Sequence, residues 1–262
     1  MASGEVQFSH RPQLNQPVLI AAWPGIGQVA LRAASYLKEQ LGATEFARID
    51  AIPYFDLGGV LVEEDIIQPP HFPQNNFYAW QHPDSGQDII LFTAESQPSN
   101  SGYRFAHMVL EVASELGAQS VFTMAAALLD ELPDTPRVWA AVSHPGRRQD
   151  VEQYGVALKG DFYIAGMNGL LLAVAQERGL EAACLLGETP RFASEVENPT
   201  AALAVLEVLV PLLGLPVDLT DLRQEAAQAQ VELKRLLAEN RKEFIDRFTV
   251  PLWENKDDEE RA

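Results

Sequence analysis

Enzymes and nucleic-acid binders share ingredients that this sequence has little of. One cysteine, Cys184, occurs among 262 residues. It stands in the apolar run Ala182-Ala183-Cys184-Leu185-Leu186, so no internal disulfide can form, a reducing compartment is expected, and the thiol reads as buried and inert. Cations are scarce: 19 Lys and Arg stand against 37 Asp and Glu, a formal net charge of −18. A surface of that sign repels phosphate, and Arg147-Arg148 is too small a basic spot to reverse it, so neither nucleic acid nor an anionic membrane is an expected partner. The histidines, at 10, 71, 82, 107 and 144, show no ligand spacing, and no metal is expected. Absence of a G-x-x-x-x-G-K-[ST] loop excludes P-loop nucleotide hydrolysis. There is no G-x-S-x-G elbow either, and in Ser143-His144 adjacent side chains at a strand end point apart. No apolar run approaches the ~20 residues that span a bilayer. The first residues, with Glu5, Gln7, His10 and Arg11, show no signal-peptide core, and a cytoplasmic protein is the expectation.

What the sequence does hold is a regular alternation. Apolar runs of strand length at 18–23, 45–49, 76–81, 88–94, 120–125, 138–142, 162–165 and 181–186 alternate with helical periodicity. The helical stretches are 27–41, 103–116, 170–178, 199–213 and 219 to about 248. With 47% apolar residues, a chain of this length buries a core without disulfide or metal staples. Alternation of this kind builds βαβ units and a mostly parallel sheet. Gly42, Gly117, Gly179 and Gly214 each follow a helical run, where a left-handed cap costs glycine least. Residues 58–84, with Pro69-Pro70, Pro73 and Pro83, are turn-rich and read as an excursion from the sheet, either a surface connection or a partner-facing flap.

The expected division is a loose arm over 1–14, one α/β domain over 15–218, an amphipathic helix over 219–248 and an acidic tail over 249–262. That helix places Leu222, Ala226, Ala229, Val231, Leu233, Leu236, Leu237 and Phe244 mainly on one stripe. Such a face packs either on its own domain or on a partner subunit.

Two junctions carry the loops with chemical content. Residues 18–23 lead into Pro24-Gly25-Ile26-Gly27 and a helix; residues 162–165 lead into Gly166-Met167-Asn168-Gly169 and another. Junctions of this grammar, at the carboxyl edge of a sheet, are where α/β proteins place sites. Gly25-Ile26-Gly27-Gln28-Val29-Ala30 fits the G-x-G-x-x-A dinucleotide pattern, with Asp50 at about the expected distance. Pro24 is foreign to that turn, however, and glycines that merely let strand and helix pack closely explain the pattern equally. The helix start also offers amides to an anion.

Thr93-Ala94-Glu95-Ser96-Gln97-Pro98 leaves a further strand and puts Glu95 and Ser96 at the same edge. A carboxylate and a hydroxyl there suit a ribose or an amine; the alternative is a strand end followed by a Ser99 or Ser101 helix cap. Gly25, Gly27, Glu95, Ser96, Met167, Asn168 and Glu188 thus form the candidate ligand-binding cleft. In it Gly25 and Gly27 would admit an anionic group, while Glu95 or Glu188 would accept a hydrogen bond or a proton. Asn168 is expected first to satisfy backbone groups at its own helix start.

Taken in order, Trp23-Pro24-Gly25-Ile26-Gly27, Gly166-Met167-Asn168-Gly169-Leu170-Leu171 and Leu185-Leu186-Gly187-Glu188-Thr189-Pro190 resemble the proteasome assembly chaperone two family. Asn198-Pro199-Thr200-Ala201-Ala202 through Leu212-Leu213-Gly214-Leu215-Pro216-Val217 extends the likeness, which covers about residues 15–225. The resemblance implies an α/β three-layer sandwich with a mostly parallel central sheet, similar to nucleoside phosphorylases and peptidyl hydrolases, plus the long C-terminal helix. It further implies a self-associating, non-enzymatic assembly chaperone or scaffold with a protein partner and no cofactor. Some archaeal relatives contact proteasome rings through a C-terminal hydrophobic-Tyr-any residue signal; this sequence ends Glu260-Arg261-Ala262, and that mode of docking is not expected of it. The alternative, from a different class, is a small-molecule binding protein or enzyme, nucleoside-phosphorylase-like or ligase-like, working in the cleft. No residue in the sequence supports ligation.

Overall fold

Strands whose successive residues are all apolar bury both faces, and they need helices on each side. The computed structural model, which describes residues 6–249 apart from 85 and 159, and side chains only as far as 239, meets that demand. In chain order the elements are β1 (Val6–Phe8), β2 (Val18–Ala22), α1 (Val29–Leu41), β3 (Thr44–Ile49), β4 (Val62–Glu63), β5 (Ile66–Ile67), β6 (Asn75–Trp80), β7 (Ile89–Ala94) and α2 (Gly102–Glu115). There follow β8 (Ser120–Leu129), β9 (Val138–Val142), α3 (Arg147–Glu152), β10 (Ala157–Leu158), α4 (Met167–Glu177), β11 (Glu181–Pro190), α5 (Pro199–Leu212) and α6 (Thr220–Thr249).

Nine strands form one sheet in the order β1-β3-β6-β7-β2-β8-β11-β9-β10. Its centre, β7-β2-β8-β11, is parallel. The expectation of a mostly parallel sheet is corrected at the flanks: β1, β3, β6 and β7 pair antiparallel in turn, as do β11 and β9, while β10 runs parallel to β9. The reason is connectivity. Between β3 and β7 the described chain has no helix to carry it back across the sheet, and strands joined without a crossover can only reverse.

Strand alternation sorts the core into two halves. Val18, Ile20 and Ala22 of β2 face one side with α1, α5 and Leu222 of α6; Leu19 and Ala21 face the other with α2 and α4. The second half holds an aromatic cluster in which Trp23 and Phe92 lie 5.0 Å apart and Tyr54 and Phe105 4.9 Å apart, contacts of about 0.5–1.5 kcal/mol each beyond their burial. Helices, sheet and helices make three layers.

Several boundaries differ from the sequence reading. Within the stretch read as a loose arm, Val6–Phe8 pair with β3, Val6 opposite Ile49. Residues 162–165, expected as a strand, run as an irregular segment, and α4 begins earlier, at Met167. β8 and β11 outlast their expected ends together, through the pair Leu129 and Pro190. The turn-rich excursion contains the hairpin β4–β5, paired only within itself. Gly42, Gly117, Gly179 and Gly214 all take positive φ beyond their helices, as glycine-closed caps require.

On α6, Leu222, Ala226 and Leu233 are buried whereas Val231 is exposed, so the packed stripe is narrower than the pattern suggested. It lies on its own domain. Thr200 Oγ1 donates to the Ala226 carbonyl, Gln230 Nε2 to the Pro133 carbonyl at 2.9 Å, and Arg32 pairs with Glu225. The expected acidic tail falls outside the described residues. Among the described residues no helix is long and apolar enough to cross a membrane.

Candidate functional site

The parallel strands β2, β7 and β8 send their chains out at one edge of the sheet, β2 toward α1 on one face and β7 toward α2 on the other. Chains that part to opposite faces leave a crevice between them. A cavity of about 520 Å³ lies there, with Pro24, Gly25 and Ile26 on one wall and Phe162 through Gly166 as a roof. Ala125 through Leu128 form its floor, with Trp139 and Leu186 beside them and Gln97 and Asn168 at the back. Among the described residues no charged side chain lines it.

Hydrogen bonding explains why these loops converge. Asn168 Oδ1 accepts from the Trp23 N–H at 3.1 Å and its Nδ2 donates to the Trp23 carbonyl at 3.3 Å, so one side-chain amide satisfies both main-chain groups of the residue that follows β2. The Asn168 carbonyl in turn accepts from Thr123 Oγ1 on β8. The expectation that Asn168 serves its own helix start is corrected: its partners are 145 residues away in sequence. Gln97, which the sequence reading passed over as the end of a strand, ties the two turns together. Its Nε2 donates to the Pro24 carbonyl at 2.7 Å and its Oε1 accepts from the Met167 N–H at 2.9 Å. Gly169 lets the roof sit down on α4, since a Cβ there would lie 2.2 Å from the Ile164 carbonyl oxygen.

The remaining expected residues divide. Gly25 lines the cavity beside Asn168, but Gly27 is buried, takes φ of 61°, and donates its N–H to the Ser194 carbonyl while its own carbonyl accepts from the Asn198 N–H. That amide is spent within the fold, and an anion cannot use it. Asp50, the acidic partner a dinucleotide turn needs, directly follows β3, which is separated from β2 by two strands, and it accepts from the Ile52 N–H. The pattern 25–30 is therefore a packing device.

Glu95 turns away from the cavity toward the chain at 71–74, accepting from the Gln74 N–H with His71 Nε2 at 3.4 Å. Ser96 and Met167 do not line the cavity. Glu188, 1% exposed, accepts from the Arg137 N–H, from Arg137 Nε at 3.1 Å and from Trp139 Nε1 at 3.0 Å. With those donors it holds the indole that walls the cavity, which makes it a positioning residue. Burial pushes the Cys184 thiol up to about 12, so it carries no thiolate to act as a nucleophile. The expectation that the Ser143 and His144 side chains point apart is corrected, since Ser143 Oγ contacts His144 Nδ1 at 3.0 Å and also accepts from the Ala182 N–H. Both lie beside residues 181–182, where β11 begins, far from the cavity at the other end of that strand. Among the described residues no group of three or more His, Cys, Asp or Glu is placed to hold a metal ion.

A three-layer α/β protein with an apolar cleft at the carboxyl edge of its parallel central strands is the class these features define. The chain belongs to the PAC2 family, whose model matches residues 19–237. It is 26% identical over 214 residues to the uncharacterized protein MJ1210 of Methanocaldococcus jannaschii, covering 81% of this chain and 80% of that one. Among solved structures it is similar to Pyrococcus furiosus PbaB, an archaeal proteasome activator, at 29% identity and a TM-score of 0.76, over 88% of this chain and 97% of PbaB. It is also similar to Pyrococcus furiosus PbaA, an archaeal homolog of proteasome-assembly chaperone, at 28% identity and a TM-score of 0.67, over 90% and 99% of the two chains.

Proposed function

We propose that this protein is a non-enzymatic assembly-chaperone-like or scaffold protein that binds subunits of a proteasome-type ring and associates with itself in the cytoplasm. The observation that carries this reading is the likeness to PbaB and PbaA over 88% and 90% of this chain. The chemistry of the cleft supports it. Gln97 and Asn168, which line the cleft, are engaged with backbone groups, and Trp139 Nε1 donates to Glu188; side chains held in this way are not free to meet a reacting atom.

The test is direct mixing of the purified protein with the proteasome ring subunits of the same organism, followed by size-exclusion chromatography with light scattering and a ring-assembly and peptide-hydrolysis time course. A stable complex together with a changed assembly or hydrolysis rate is expected. Absence of both overturns the reading. A second reading, favoured by the cavity volume alone, puts an uncharged small molecule in the cleft, as in a phosphorylase-like protein; native mass spectrometry of the freshly purified protein would reveal it as a constant added mass.

A further inference from the structure

β8 is ten residues long, yet its two neighbours accompany it unequally. β11 pairs with it from Ser120 to Leu129, whereas β2 pairs with it only as far as Ala21 opposite Thr123. Beyond that point β2 cannot continue, because both main-chain groups of Trp23 are closed off by the Asn168 amide and Pro24 turns the chain away. Among the described residues no strand lies beside that edge of β8 from Met124 onward, and residues Ala125 to Leu129 are only half-buried. A row of main-chain donors and acceptors left unpaired in an otherwise paired sheet is a template for another strand.

The cavity surrounds this edge from both faces. Ala126 continues the face of Phe122 and Met124, and Ala125 and Ala127 the opposite one, and all three line the space. Their methyl groups let a second backbone come close, while Ile26, Trp139 and Phe162 offer apolar walls to alternate side chains. Just past Leu129 come Asp130, which pairs with Arg191 at 3.1 Å, and Glu131, both exposed, on a protein of net charge −18.

We propose that the β8 edge at Ala125–Leu129 is a strand-addition site for an extended segment of a partner protein, uncharged and apolar where it lies in the cleft and cationic immediately beyond it. The inference goes beyond the function proposed above, since nothing in it depends on the partner being a ring subunit.

The probe is a phage-displayed library of random dodecapeptides panned on the full-length protein, with the enriched sequence synthesised, labelled with fluorescein and titrated by anisotropy. Expected are alternating apolar residues with Lys or Arg at one flank. N-methylation of every second amide in one register should weaken binding about tenfold or more, and in the other register leave it unchanged, because only one set of amides faces β8. Hydrogen exchange should slow at alternate amides within 124–129 on peptide addition. Ala127→Trp, which fills the cleft, should cost about tenfold in affinity; should that variant not fold, the methylation series still decides on the native protein.

The proposal is overturned by a library that yields no binder, by equal affinity in both methylation registers, or by unchanged exchange at 124–129. Concentration-dependent protection of 124–129 without peptide would assign the edge to a second copy and overturn it as well, as would a co-purifying metabolite that blocks the peptide. A peptide site confirmed alongside failed ring-subunit binding would sink the proposed function and leave this inference standing.

Discussion

At the scale of single residues, Asn168 does with a side chain what a neighbouring strand does with its backbone. The main-chain N–H and carbonyl of Trp23 both depend on it, and the site is buried. Asn168→Ala leaves a buried donor and a buried acceptor without partners, and the expected loss is about 2–4 kcal/mol in urea unfolding, with the deeper cleft wall loosened. Asn168→Asp keeps the acceptor for the Trp23 N–H but sets a buried carboxylate against the Trp23 carbonyl, so a loss at least as large as that of the alanine variant is expected at neutral pH. The position of Asn168 in a turn before a helix was legible in the sequence; its partner was not, because cap chemistry is local and this contact is not. Gln97 escaped notice for the same reason. Glu188 was legible as a polar residue in an apolar run, but only the pairing of β11 with β9 places Arg137 and Trp139 beside it.

Among the elements, α6 sets the clearest contrast. Leu222 is fully buried against the domain and Val231 is 70% exposed, though both belong to the stripe read from the sequence. Leu222→Ala should cost about 2–5 kcal/mol, and Val231→Ser within about 0.5 kcal/mol, measured in the same denaturant series.

The helix also has a pH-sensitive start. The Thr220 hydroxyl, then the Thr220 N–H, donate to Asp218 and hold its carboxyl below the ordinary carboxylate value. A group lowered in the folded state stabilises above its unfolded value and stops doing so as pH falls through the folded one. Acidification below about pH 4 should therefore raise amide exchange at Asp221–Arg223 before the core opens, and Asp218→Ala should show that faster exchange already at neutral pH. Element identities were largely readable because long periodic runs and glycine stops agree. The wings of the sheet were not, since apolar content reveals a strand without its direction, and the clue lay in the missing helix between residues 49 and 89. The roof over 162–165 was misread as a strand because four apolar residues in a row look the same whether they pair or lie over a cleft.

For the molecule as a whole, acidity sets the response to salt. Carboxylates outnumber cations 37 to 19, so repulsion exceeds the pairing seen at contacts such as Arg147 with Glu181 and Lys234 with Asp134. Raising sodium chloride from about 0.01 M to about 1 M shortens the screening length from roughly 30 Å to roughly 3 Å. The urea midpoint should rise over that range; a fall would mean that the ion pairs outweigh the repulsion. One further consequence belongs to the unequal strands. Where a five-residue strand lies beside a ten-residue one, the sheet has a step, and the depth of the recess is counted in residues instead of being carved by side chains. Lengthening or trimming the β8–β11 ribbon by two residues at its far end would move the rim by roughly 7 Å and leave every core contact below Thr123 where it is, so this fold can retune its recess by insertion and deletion without renegotiating its interior.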